Sequence, residues 1–181
     1  MNTILMLLVV AAKLDAVPGG AGLQLKVVKY DGSVNGAITV EVQNPTATEQ
    51  TFDARGLYFV PQTDPDHAPQ RLGAVGPFRI GDEHKQTLKL APGEHARLSL
   101  DVYCIDSHRP APDETTPFRV AKTRIPPALT QAISTAAETA AAPYGGVSAS
   151  PAKSAVQSEV WKNRDAKWIK LDGEGQQEAN K

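Results

Sequence analysis

Between residues 23 and 105 the chain is written in short alternating runs, each cut off by a proline or a glycine turn. Leu23, Leu25 and Val27 alternate with Gln24 and Lys26 ahead of Asp31-Gly32, and Ala37 to Val42 alternate ahead of Asn44-Pro45. Thr87 to Leu90 alternate before Ala91-Pro92-Gly93, and the longest run extends from Ala96 to Ile105. A period of two puts one set of side chains in a core and the other in solvent, the pattern of a half-buried strand. Proline gives no N–H to a ladder and ends such a strand. Phe52 to Val60, closed by Pro61, and the short Phe78-Arg79-Ile80 read as further strands. With 14 Gly and 14 Pro in 181 residues, six or seven short strands follow, and the prediction is a mainly β chain, an antiparallel β-sandwich. On the longest strand Ala96, Leu98, Leu100, Val102 and Cys104 share the core face.

After Pro112 the texture changes. Pro126-Pro127 opens an alanine-rich stretch, 128–142, with Leu129, Ile133, Ala136, Ala137 and Ala140 at helical spacing, stopped by Pro143 and Gly145-Gly146. Ser150-Pro151 has the form of an N-cap followed by proline in the first turn, which predicts a second helix from Ala152 to about Ala166. Val156, Val160 and Trp161 form its apolar stripe. Trp168 to Leu171 is predicted as a closing strand, and Asp172 to Lys181 as a polar, frayed end. The expected organisation is therefore a signal peptide over 1–16, a sandwich core over 17–112, a helical segment with closing strand over 113–171, and a flexible tail over 172–181.

The signal peptide rests on the apolar run Ile4 to Ala12. It is too short to span a bilayer and of the right length for a leader core, with small residues near Ala12 and Ala16 for a peptidase. The expected location is secreted or periplasmic, with no transmembrane segment in the mature protein. Charge is balanced, 19 basic against 20 acidic residues, which gives no electrostatic handle for nucleic acid. No cofactor is implied.

Cys104 is the only cysteine, so no internal disulfide and no Cys-rich metal or iron–sulfur site is available. The run Tyr103-Cys104-Ile105-Asp106-Ser107-His108 puts a thiol near an imidazole, but no oxyanion-loop motif accompanies it, and a buried inert cysteine is the commoner reading. His67, His84, His95 and His108 do not pair at helix-ligand spacing, and the acidic loops 64–67 and 81–84 lack alternating calcium ligands. The segment Lys162 to Lys170 mixes Trp161 and Trp168 with cations, yet Asp165 and Asp172 dilute it, and a solvated helix face explains it better.

Two patches together carry more. The first is Tyr103-Cys104-Ile105 at the end of the longest strand. The second is Val156-Gln157-Ser158-Glu159-Val160-Trp161 in the second helix. The combination resembles the thioester domains of bacterial surface adhesins, in which a Cys after an aromatic or Leu residue is joined to a Gln in a later helix. Matched positions are Tyr103, Cys104, Gln157, Val160 and Trp161; Val156 and Glu159 stand where that family usually has Thr and Ala. The resemblance implies a Cys104–Gln157 thioester that bonds covalently to a nucleophile on a partner protein or glycan, with Tyr103 and Trp161 shielding or supporting the bond. It implies no catalytic turnover, so the chain is not read as an enzyme. The competing reading is a non-covalent binding or accessory domain, with Cys104 in the core, Gln157 solvated and Trp161 docking the helix.

Overall fold

The computed structural model describes residues 14–32, 36–167 and 169–175. As the alternating runs predict, the protein is mainly β and antiparallel, with two short helices toward the C-terminus. The strands are β1 (Asp15–Ala16), β2 (Gln24–Tyr30), β3 (Ala37–Gln43), β4 (Gln50–Asp53), β5 (Tyr58–Pro61), β6 (Leu72–Ile80), β7 (Glu83–Lys85), β8 (Thr87–Leu90), β9 (His95–Cys104) and β10 (Phe118–Val120). The main sheet runs β1-β2-β3-β9-β6-β5-β10, with β7 beside β6, while β4 and β8 form a separate ribbon. This sheet curls until β10 approaches β2 and is nearly closed; the rings of Tyr30 and Phe118 meet edge-to-face across that seam at 5.5 Å.

The strand faces separate two cores. Inside the curl lie Leu25, Ile38, Val40, Val42, Leu72, Phe78, Leu98, Leu100, Val102 and Cys104, with Phe52 and Leu90 of the ribbon packed against them. Outside it, Tyr58, Val60, Tyr103 and Ile105 pack under helices α1 (Pro127–Ala141) and α2 (Lys153–Asp165). β9 displays the consequence. Its first half alternates exposed and buried, and from Leu100 onward every residue is buried because the helices cover the second face. α1 contributes Leu129, Ile133, Ala137 and Ala141, one residue per turn.

Several expectations need correction. Phe52 to Val60 is two strands, not one: the chain reverses at 54–57, where Gly56 has φ +73° and a Cβ would meet Thr130 Oγ1 at 2.9 Å. Pro61 is, as expected, the last residue of its strand, β5, where it pairs with Phe118. β6 is nine residues, not three. Its alternation is hidden by Gly73, Gly76 and Pro77, and its register against β9 shifts between Ala74 and Phe78. Ser150-Pro151 is not an N-cap; residues Ser150–Ala152 form a 3-10 turn that runs into α2 without a side-chain cap. Residues 169–171 form no strand. The apolar run Ile4 to Ala12 lies outside the described residues; of the expected signal peptide 1–16 only residues 14–16 are described, and Asp15 and Ala16 pair with β2.

The end assigned to a frayed tail is held through residue 175. Arg71, fully buried, forks onto Asp106 with Nε to Oδ2 at 2.8 Å and Nη2 to Oδ1 at 2.5 Å. Its Nη1 donates to the Asp172 carbonyl at 2.9 Å and to Glu174 at 3.0 Å. Arg109 donates to the Gly173 carbonyl, and the Asp172 N–H donates to the Tyr58 hydroxyl. A buried Arg–carboxylate fork keeps its charge only with all its donors satisfied, so the polar end is drawn in as part of that shell. Residues 176–181 lie outside the described residues.

Two stability outcomes follow. Leu100→Ala, at the centre of the inner core, is expected to cost about 2–5 kcal/mol in urea denaturation. Val28→Ala, at the exposed irregularity where the β2–β3 register shifts, should stay within about 0.5 kcal/mol of the wild type. Equal losses at both positions would contradict the core assignment.

Candidate functional site: the Cys104–Gln157 junction

The two residues singled out by the resemblance, 53 positions apart, are in contact. The Cys104 backbone N–H donates to Gln157 Oε1 at 3.0 Å, and Gln157 Nε2 donates to the Cys104 carbonyl at 2.7 Å. Strand geometry explains the arrangement. β3 pairs with β9 as far as Ala37–Asp101, and one further bond joins the Val102 N–H to the Gly36 carbonyl. The next N–H and carbonyl on that edge belong to Cys104, which lies beyond the start of β3. Both are buried and need partners. The Gln157 carboxamide supplies one acceptor and one donor, the same pair of groups that a further peptide unit would offer. It extends the ladder by one rung from outside the sheet.

α2 brings Gln157 there through its apolar stripe. Val156 and Val160 are buried in the outer core, one turn apart, and Gln157 sits beside them with 4 % exposure. A wholly solvated Gln157 is therefore excluded. One turn further, Trp161 packs against the inner core and donates its indole N–H to Gln70 Oε1 at 3.1 Å. Trp161 is thus placed over the same core that contains Cys104.

Tyr103 does not share that position. As the neighbour of Cys104 on a strand it faces the opposite side, lies in the outer core, and donates its hydroxyl to the Val147 carbonyl at 3.0 Å. It cannot cover the sulfur; it anchors the connection between α1 and α2, and so supports α2 from beneath.

The electrostatics are those of a protected thiol. Burial, and then the charge of Asp106, push the Cys104 thiol up to about 12. The thiolate is disfavoured, which argues against a ready Cys nucleophile of the hydrolase kind. His108 is exposed. His67 is held by Asp64 in its exposed loop, Nδ1 to Oδ2 at 3.0 Å. Among the described residues no cluster of three or more His, Cys, Asp or Glu is placed to hold a metal, and no helix is long and apolar enough to cross a membrane. The cationic segment after Trp161 is not one exposed face: Arg164 is buried and donates to the carbonyls of Lys167 and Ile169. Residue 168 lies outside the described residues.

Sequence reasoning did not find Gln70, Arg71 or Asp106 as neighbours of this site. The available signal was in α2, where Gln157 and Arg164 continue the buried positions of the apolar stripe with polar side chains. No family model, curated protein or solved structure matches this chain.

Variants at Gln157 test the ladder. Gln157→Leu leaves the Cys104 N–H and carbonyl without partners and is expected to cost about 1–3 kcal/mol for each unsatisfied group. Gln157→Glu keeps the acceptor but turns a charged oxygen toward the Cys104 carbonyl. Burial and that carbonyl raise the new carboxyl above its unfolded value of about 4.3. The variant should therefore lose stability relative to the wild type as pH rises through and above that value, and recover it in acid, where the protonated carboxyl donates. Urea midpoints against pH measure the effect; a pH-independent difference contradicts the assigned hydrogen bonds.

Proposed function

We propose that this protein is an exported attachment module whose Cys104 and Gln157 side chains join as an internal thioester, which then acylates a nucleophile on a partner protein or glycan. One observation carries the reading: the carboxamide of Gln157 is hydrogen-bonded to both the backbone N–H and the carbonyl of Cys104, although 53 residues separate them and the motif resemblance alone nominated the pair. The local groups suit the chemistry. When Cys104 Sγ adds to Gln157 Cδ, negative charge develops on Oε1, which already receives the Cys104 N–H at 3.0 Å. Collapse expels Nε2 as ammonia, which carries away the thiol proton. The net change is thiol and carboxamide to thioester and ammonia. A partner amine that later attacks Cδ forms an amide and returns the proton to the Cys104 sulfur. Burial of both residues keeps water from the acyl bond until a partner displaces the cover. Trp161 and its bond to Gln70 form part of that cover. Because the bond is consumed once, the reaction is an attachment and not a turnover.

A second reading has its own support. The carboxamide already satisfies two backbone groups of β9, and loss of Nε2 would remove the donor to the Cys104 carbonyl. In this reading Gln157 is a structural rung, and the protein is a non-covalent β-sandwich binding or accessory domain.

Intact mass separates the two. For the attachment module, protein purified from an exporting host is expected to be lighter than its sequence by one ammonia. Methylamine should add its own mass, leaving the methylamide one methylene heavier than the sequence, and release a thiol that alkylates only after unfolding. Cys104→Ala and Gln157→Ala should each abolish the mass deficit. A full-mass wild-type protein that methylamine leaves unchanged would overturn the thioester and leave the structural rung.

A further inference from the structure

Beside the first turns of α1, the chain forms a cleft of about 380 Å³ whose lining includes Asp53, Arg55, Arg124, Ile125, Pro127 and Thr130, within the size range of small-molecule sites. Its floor is apolar, from Ile125 and Pro127, and its charged groups are two guanidinium groups and one carboxylate. Arg124 is fixed in place by backbone carbonyls alone: Nε donates to Pro18 at 2.7 Å, Nη2 to Asp53 at 3.0 Å, and Nη1 to Arg55. It forms no ion pair among the described residues. A guanidinium has five N–H donors, so three of them hold the fold and two remain. Burial without a paired carboxylate holds this guanidinium below its ordinary value. Asp53, the only carboxylate in the lining, is engaged by Arg55 through Nε at 2.9 Å and Nη2 at 2.5 Å. The cleft therefore has one positive charge in excess, in a chain whose net charge is −1. The wall from α1 adds no acid: its first turn has none, and its N-terminus has no side-chain cap.

We propose that this cleft binds a carboxylate carried on an apolar body, with the carboxylate at Arg124 and Arg55 and the body over Ile125 and Pro127. A planar guanidinium matches a carboxylate with two parallel hydrogen bonds. Arg124 is held in place by its three carbonyl anchors, which leave one N–H on each Nη for a ligand. The hydroxyl of Thr130 is used up as a donor to the Ile125 carbonyl at 3.0 Å, while the Gln131 amide, which donates to Thr135 at 3.1 Å, keeps a second N–H beside the cleft. The site stands apart from Cys104 and Gln157 and does not depend on their chemistry.

Benzoate is the probe, with benzamide as its uncharged counterpart and inorganic phosphate as a second anion, titrated into the labelled full chain and followed by amide NMR. Benzoate is expected to give saturable shifts concentrated at Arg55, Arg124, Thr130 and Gln131, and benzamide none. Arg55→Gln, an exposed position whose loss leaves Asp53 unpaired in the cleft, should weaken benzoate at least tenfold. Asp53→Asn, which removes the competing carboxylate, should tighten it. Shifts remote from the cleft that are unchanged between wild type and variants establish that each variant is folded. No saturation with benzoate, equal shifts with benzamide, phosphate binding in place of benzoate, or an Arg55→Gln affinity equal to wild type would each overturn the assignment.

Discussion

The far end of β9 sets the central constraint on this fold. That strand is paired on both edges, its last five residues are buried on both faces, and one of its edge partners, β3, begins too late to reach Cys104. A buried strand edge with an unpaired N–H and carbonyl is costly, since each group has lost water without gaining a partner. The fold answers with a side chain from another layer: the carboxamide of Gln157 mimics a peptide unit and completes the ladder. This fixes the rotation of α2, because Val156 and Val160 can face the outer core and Trp161 can reach the inner one only when Gln157 points at the strand. One interaction thereby joins the two cores.

The buried charges beside it have a related role. Arg71 and Asp106 form a fork with essentially no solvent exposure, and Glu174, Arg164 and the carbonyls of residues 172 and 173 complete its surroundings. Buried pairs of this kind contribute little net stability compared with apolar residues of equal volume. Their effect is positional. Asp106 follows Cys104 by two residues, so the fork fixes the end of β9, and Arg71, one residue ahead of β6, ties that end to the C-terminal strap. Gly173 lets the strap lie flat, because a Cβ there would come within 2.5 Å of Val60.

These constraints shape what Cys104 can do. A thiol at 0 % exposure, beside a carboxylate and raised well above its ordinary range, is protected from oxidants and alkylating reagents. The Gln157 carboxamide bonds the backbone N–H and carbonyl of Cys104, and its conversion to an acyl group on the sulfur belongs to the proposed attachment chemistry. The same burial that suits a stored acyl bond also suits a plain structural rung, and the mass of the protein distinguishes them.

Alternation in β2, β3, β8 and β9 was legible because each of these strands has one wet face for part of its length, so polarity records the side. The helices were legible from alanine-rich spacing and from the stripe at Val156 and Val160. β6 and β5 were not, because they are buried on both faces or bent by Gly73, Gly76 and Pro77, and such strands carry no period of two. Cys104 and Gln157 were both visible as residues, and strand alternation put Cys104 on the core side. What the sequence by itself determined is the local period of each element and hence the mainly β class. What only the tertiary structure decided is which edge of β9 runs out of partner, and that a helical glutamine fills it. The physical reason is that hydrogen-bond deficits arise between elements, where no local pattern of residues records them.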